Sequence, residues 1–346
     1  MNWQKLLIKI IRILLLPIVP VYYVITGLRN YLYDCRMLKT TAFSTPVIAV
    51  GNLSTGGTGK SPMIEYLLSF LSSSFKIAVL SRGYGRKSKG FKLVNYKDQA
   101  VEVGDEPLQF KNKFRDVEVA VDEKRVRGIK TLLKTRNPEL ILLDDAYQHR
   151  KVKAGHYILL TTYQNLYVND IVLPTGNLRE PKCGAKRAST VVITKCPFDL
   201  SVSKSQEIAD QLKLKSSQNL YFTGIDYENV VKNEKEERSL KSFGDESFLL
   251  VTGIANPKPL VRFLRNKNLS FDHLNFADHH NFNEKDILKF KSYPLILCTE
   301  KDYVRLSSHF SSGQLWYQPI RTKFLFNAAH DFESKINDYI IKSIKV

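Results

Sequence analysis

The chain has 346 residues, with 52 Lys and Arg against 34 Asp and Glu, for a formal net charge of +18. Hydrophobic residues make up 43% and aromatics 11%, enough for a substantial core and too much for a disordered chain. The length exceeds one small domain, so two α/β domains, or one large domain with additions, are expected. Cys35, Cys183, Cys196 and Cys298 stand far apart with no CxxC pair. That pattern argues against a disulfide scaffold or a Cys-rich zinc site and for a reducing compartment.

So much positive charge calls for an anionic partner: nucleic acid, a membrane surface, or the substrate. No zinc-finger spacing or RNP-type aromatic run is present, so no nucleic acid is expected. Residues 3–28, WQKLLIKIIRILLLPIVPVYYVITGL, point to a membrane instead. Lys5, Lys9 and Arg12 recur at helical spacing, and Ile13–Leu28 is a run of 16 residues without a charge. That run falls short of the roughly 20 residues needed to span a bilayer, and Pro17 and Pro20 break a straight helix. A secretory signal shares the basic-then-apolar order, but no small-residue cleavage site is evident. A first helix packed on the domain surface is the other alternative. The pattern best fits an interfacial, monotopic anchor over residues 1–30 whose cations meet anionic headgroups.

Residues 46–52, PVIAVGN, read as a buried strand. Ser54-Thr55-Gly56-Gly57-Thr58-Gly59-Lys60-Ser61-Pro62 follows, and a helical pattern runs from Met63 to Leu71. Strand, Gly-rich turn and helix are the context of a phosphate-binding P-loop. The glycines let backbone N–H groups approach phosphate oxygens, and the helix N-terminus adds its positive dipole end. Lys60 would reach the β- and γ-phosphates, and Ser61 would hold Mg²⁺. The general spelling GxxxxGK[ST] wants Gly where this chain has Ser54. About 85 residues on, Leu140–Leu143 ends in Asp144-Asp145, placing a carboxylate where P-loop enzymes complete the Mg²⁺ site.

Six further strings gain meaning together: Ser81-Arg82-Gly83-Tyr84-Gly85, Gly104-Asp105-Glu106-Pro107, Asp144-Asp145-Ala146-Tyr147-Gln148-His149-Arg150, Leu178-Arg179-Glu180-Pro181, Ala277-Asp278-His279-His280 and Thr299-Glu300-Lys301-Asp302. With the P-loop, their order and spacing resemble the tetraacyldisaccharide 4′-kinases of lipid A biosynthesis, from the N-terminus to about residue 305. Ser61 stands where that family usually has Thr, and Ala146-Tyr147 where Gly-Phe is common. The resemblance implies transfer of the γ-phosphate of ATP, with Mg²⁺, to the 4′-hydroxyl of a glucosamine disaccharide 1-phosphate lipid. That substrate is an anionic glycolipid at the cytoplasmic face of the bacterial inner membrane. No obligate protein partner is implied.

The resemblance also implies that Asp105 is the base that accepts the hydroxyl proton and His279 its partner, chosen over His280 because it follows Asp278. By residue type alone, Asp105 reads equally well as part of a solvated turn. Arg179 would hold a phosphate and Glu180 would sit near Mg²⁺; a surface ion pair fits both as well. Arg82, with Arg86, Lys87 and Lys89, forms a basic loop for substrate phosphate or a solvated face, and Asp145 joins Arg82 and Arg179 as a substrate-contacting candidate. Thr299-Glu300-Lys301-Asp302 reads as the cap of a strand with no chemistry.

Strand patterns at 46–52, 76–81, 117–121, 140–144, 157–162 and 189–195 alternate with helical ones such as 62–71 and 123–136. They predict a P-loop NTPase-like, mostly parallel sheet with helices on both faces, over residues 31–225. The Asn- and Lys-rich stretch 226–247 reads as a linker or exposed hairpin. A smaller α/β domain, residues 226–346, should follow, with Asp105 and His279 on different domains. The rival function is a membrane-associated nucleotide switch, but the NKxD and DxxG strings of a G-protein are missing.

Overall fold

The computed structural model describes residues 3–243, 246–278, 280–311 and 313–344. The chain forms two compact units, and neither is contiguous. The first takes the chain up to Arg82, Asp122–Gly224 and the segment from Thr322 onward; the second takes Gly83–Val121 and Ile225–Arg321.

The first unit is built on apolar, β-branched strands buried on both faces, as a parallel sheet requires. Its strand order is Ile320–Phe324, Asn219–Tyr227, Thr190–Thr194, His156–Thr162, Val47–Asn52, Leu140–Leu143, Ile77–Ser81. Val47–Asn52 lies centrally and pairs in parallel with Leu140–Leu143 (Val47 against Ile141) and with His156–Thr162 (Ile48 against His156). The P-loop, Asp144-Asp145 and Thr194-Lys195 therefore all leave the sheet at carboxyl strand ends, where α/β sheets bind ligands. The expected strands and the Lys60–Leu71 and Arg125–Arg136 helices are all present within a few residues.

Two domain boundaries differ from expectation, and side-chain packing explains both. Residues 322–346 return to the first unit, because the Ala329–Ile344 helix buries Phe332, Ile336 and Ile340 at four-residue spacing. Phe332 packs on Phe324 and Tyr221, with ring centroids 4.7 and 5.2 Å apart, and Tyr339 Oη donates to the Val47 carbonyl at 3.1 Å. Residues 83–121 leave the first unit and join the second. Their strand Glu118–Val121 pairs antiparallel with Lys92–Leu93, and their helix Asp105–Lys113 is tied by ion pairs to the helix Glu300–Leu306. Asp105, Asp278 and His280 thus share one unit.

The second unit carries a six-stranded sheet in the order Glu237–Ser239, Val230–Lys232, Leu315–Gln318, Ile296–Thr299, Phe248–Thr252, Phe271–Asn275. Its last four strands run parallel, and the stretch read as linker or hairpin is a hairpin, with Lys232 opposite Glu237.

The N-terminal segment forms helices Trp3–Leu14 and Val19–Asp34. Pro17 interrupts them within a short 3-10 turn, while Pro20 sits in the first turn of the second helix, where no backbone N–H is needed. Trp3, Ile13 and Leu14 are 80%, 60% and 72% exposed, so an apolar face is left to the surroundings. The side chains of Lys5 and Lys9 lie outside the described residues. The expected separate segment 1–30 is not separate: Asn30 and Tyr33 are buried, and the second helix is bolted to the first unit. Tyr22 Oη donates to the Arg179 carbonyl at 3.0 Å, Arg29 to the Gln148 carbonyl at 2.9 Å, and Arg150 to the Asn30 carbonyl at 2.7 Å.

Candidate active site

The loop between Asn52 and Lys60 is held on every side by its own neighbours. Thr55 N–H donates to the Asn177 carbonyl at 2.8 Å, and Ser54 bridges Leu178. Buried Asn52 donates to Thr58 Oγ1 at 2.8 Å, Thr194 Oγ1 donates to the Thr58 carbonyl at 2.8 Å, and Lys195 donates to the Gly57 carbonyl at 2.6 Å. Gly56 and Gly59 have φ of +103° and +88°, which a side chain would strain, whereas Ser54 has no positive φ. The departure at Ser54 therefore costs the loop nothing. The helix after Gly59 starts without a side-chain cap, leaving its positive end available to an anion.

Beside the loop, Lys60 Nζ lies 3.7 Å from Asp145 Oδ1, and Arg179 Nη1 donates to both Asp145 carboxylate oxygens at 3.0 and 3.1 Å. Asp145 has a left-handed φ of +44°, a strained conformation for a non-glycine residue and one that gathers at functional sites. The structure thus brings together Lys60, Asp145 and Arg179 from three distant segments. Asp144 is 1% exposed and accepts from Ser81 Oγ at 2.9 Å, and Ser61 is likewise buried in the first helical turn.

Mg²⁺ bound with a nucleotide takes one or two protein oxygens and draws the rest from phosphates and water. The hard oxygen donors Ser61 and Asp144 fit that demand. Among the described residues no group of three or more His, Cys, Asp or Glu forms a self-sufficient metal cage. Glu180 does not fit the expected metal role. Its carboxylate accepts from Asn30, from Gln148 Nε2 at 3.0 Å and from Arg187 Nη2 at 2.8 Å, so a cation would have to displace one of them. Arg187 in turn lies over the Tyr147 ring at 4.7 Å, and Tyr147 Oη donates to the Gly184 carbonyl at 2.8 Å. The hydroxyl of Tyr147, extra to the family's usual Phe, is satisfied. Glu180→Ala would strand the buried Arg187 guanidinium and is expected to cost about 3–5 kcal/mol of stability. Its Mg²⁺ titration should match wild type; a raised half-saturating Mg²⁺ concentration would restore the metal role.

Two residues that motif reading passed over belong here. Arg125, 3% exposed, donates to the Asp144 carbonyl at 3.2 Å and the Asp122 carbonyl at 2.7 Å. Burial lowers its guanidinium to about 10, against the pull of Asp144 and Asp145. His149 is pushed down to about 4 by burial and by the charges of Arg125 and Arg82, so it is neutral at physiological pH. His149 was visible within the DDAYQHR string; Arg125 carried no signal except its place in a basic helix. A cavity of about 1010 Å³ adjoins them, lined by Arg29, Lys124, Arg127, Lys130, Lys134 and Arg150 among others. Lys124, Arg127, Lys130 and Lys134 recur at three- and four-residue spacing, which puts them on one helical face.

Asp105 opens the Asp105–Lys113 helix of the second unit, and Arg305 pairs with it. His279 lies outside the described residues. His280 is accounted for structurally: its Nε2 is 3.0 Å from Asp286 Oδ2, and its ring stacks on Phe276 at 4.7 Å.

The family model for tetraacyldisaccharide-1-P 4′-kinase, LpxK, matches residues 11–340. A tetraacyldisaccharide 4′-kinase of Flavobacterium johnsoniae is 49% identical over 97% of this chain and 99% of its own. One of Bacteroides fragilis is 42% identical over 91% and 89%. A crystal structure of LpxK from Aquifex aeolicus in complex with ATP superposes with a TM-score of 0.77 at 28% identity, covering 96% of this chain and 99% of that one. On the motifs, the fold and these matches together, the chain belongs to the tetraacyldisaccharide 4′-kinase family.

Proposed function

We propose that the chain transfers the γ-phosphate of ATP to the 4′-hydroxyl of a tetraacyl glucosamine disaccharide 1-phosphate, with Lys60 and the 54–61 backbone holding the nucleotide and Asp105 accepting the hydroxyl proton. The observation that carries this reading is the clamped P-loop with Lys60 and Arg179 converging on Asp145. Phosphoryl transfer asks a protein chiefly for positioning and for cations aimed at the phosphoryl oxygens. Lys60 supplies one such cation and Arg179 a second. Ser61 and Asp144 would hold Mg²⁺, which, when bound, neutralises charge on the transferring phosphate. The basic cavity beside Arg125 suits a phosphorylated sugar headgroup, since eight of its lining residues are Arg or Lys against the single acidic Glu123.

Among the described residues no helix is long and apolar enough to cross a membrane. The exposed apolar face of Trp3–Leu14 supports peripheral seating on an anionic leaflet, at the cytoplasmic face where ATP and the lipid meet. Removing residues 1–15 is expected to move most of the protein from the membrane fraction to the soluble one with its melting temperature kept. Removing 1–28 also deletes the Tyr22 contact to the Arg179 carbonyl and should lower that temperature. A folded 1–15 deletion that still pellets with membranes would place the anchor elsewhere.

Incubation with γ-labelled ATP and the purified disaccharide 1-phosphate lipid tests the activity directly. Label should appear on the lipid, with little ATP turnover in its absence. Turnover indifferent to the lipid would favour a nucleotide switch.

A further inference from the structure

The string Thr299-Glu300-Lys301-Asp302, which capped a strand and carried no assigned chemistry, begins the helix Glu300–Leu306, and that helix reaches the proposed base. Thr299 caps it, accepting from Asp302 N–H at 3.2 Å. Two cations one turn apart on this helix meet the two acidic residues that open the Asp105–Lys113 helix. Lys301 Nζ lies 2.9 Å from Glu106 Oε1, and Arg305 Nη2 pairs with Asp105 Oδ2.

Arg305 is itself held from behind. Its side chain is 9% exposed, and its Nη1 lies 3.7 Å from Asp302 Oδ1. Asp302 is wholly buried and fixed by Gly253 N–H at 2.9 Å and Thr299 Oγ1–H at 2.6 Å. The same Nη1 donates to the His280 carbonyl at 3.4 Å. One guanidinium thus connects a buried carboxylate, Asp105 and the His280 backbone. Such a chain is more than a surface ion pair, because each member is fixed by the next rather than by solvent.

We infer that Arg305, anchored by Asp302, is a positioning residue for Asp105, holding its carboxylate ionised and in one orientation toward the acceptor hydroxyl. The inference rests on the reading of Asp105 as the base. A general base must be ionised at the working pH and aimed within hydrogen-bond reach of its proton. An adjacent guanidinium favours the ionised carboxylate, and its planar fork sets the carboxylate's orientation. Among the described residues, charged groups around Asp105 include Glu106 on its own helix, Lys301 and Asp302 on the facing helix, and Asp278. Arg86 lies across the neighbouring 83–90 turn, donating to the Gly90 carbonyl at 2.7 Å. Glu106, Asp302 and Asp278 are acidic, so the positive charge of Arg305 opposes theirs.

The test is the pH dependence of kcat in the full-length enzyme for Arg305→Gln, Arg305→Lys, Lys301→Met and Asp105→Asn, with melting temperatures on the same proteins. Arg305→Gln is expected to lower kcat by about 10- to 100-fold and to move the acid limb up by about one pH unit, with KM for ATP unchanged. Arg305→Lys keeps the charge and should leave the acid limb near wild type, with kcat reduced about tenfold by the lost fork geometry. Lys301→Met removes the neighbouring pair and should move the acid limb less than Arg305→Gln does. If Arg305→Gln merely loses kcat in proportion to its folded fraction with an unmoved acid limb, or, should it not fold, if Arg305→Lys keeps wild-type kcat per folded molecule, Arg305 is a structural clamp and the inference fails. If Asp105→Asn itself retains near-normal kcat, the base reading fails first and takes the inference with it.

Discussion

Lys60→Ala is expected to lower the rate of phosphoryl transfer by about 10³-fold or more, a loss of about 4 kcal/mol of transition-state stabilisation. The lysine opens the P-loop helix with its side chain 11% exposed, so its charge acts in a site largely closed to water. Alanine leaves the loop's own clamps in place, because Asn52, Thr194 and Lys195 bond to Thr58 and Gly57 without Lys60. Asp145 also keeps Arg179 at 3.0 Å, so no carboxylate is stranded, and stability should change by less than about 1 kcal/mol. Label transfer and thermal melts on one preparation check both halves. A rate within tenfold of wild type would remove Lys60 from the transition state.

Asp105→Asn is expected to reduce kcat by roughly 10²- to 10⁴-fold, the range typical of general base catalysis, with KM for ATP nearly unchanged. Asparagine keeps an oxygen for Arg305 and loses the capacity to take a proton. If His279 acts with Asp105 as one unit, His279→Ala should fall in the same range, and the double mutant should be hardly slower than the worse single one. Multiplied losses would mean independent roles and end the idea of a dyad. A turn aspartate and a structural histidine would instead lower the melting temperature and leave kcat near normal in the folded fraction. Rates and melts on the four proteins separate these outcomes.

The strand–glycine turn–helix of the P-loop could be read from the chain because it is local. A strand, a glycine turn and a helix start lie within some 25 consecutive residues, and each does its work through its own backbone. The alternating strands were equally readable, since Val47–Asn52 and Leu140–Leu143 are apolar throughout and buried on both faces. The two N-terminal helices were legible from a short range too, although the pattern could not show that the second is packed into the first unit.

What the pattern left open depends on contacts between residues far apart in sequence. Glu180 read as a metal ligand because a carboxylate in a loop beside Arg looks the same whether it faces a cation or a core; only packing supplied Asn30, Gln148 and Arg187 as its partners. Residues 83–121 and 322–346 changed units because cross-chain ion pairs and aromatic packing, not sequence adjacency, decide where a segment buries its surface. Arg125 and Arg305 were two among 52 cations until folding buried one under Asp144 and set the other against Asp105, 200 residues away. A charge acquires a role from the dielectric and the partners around it, and those exist only once the chain has folded.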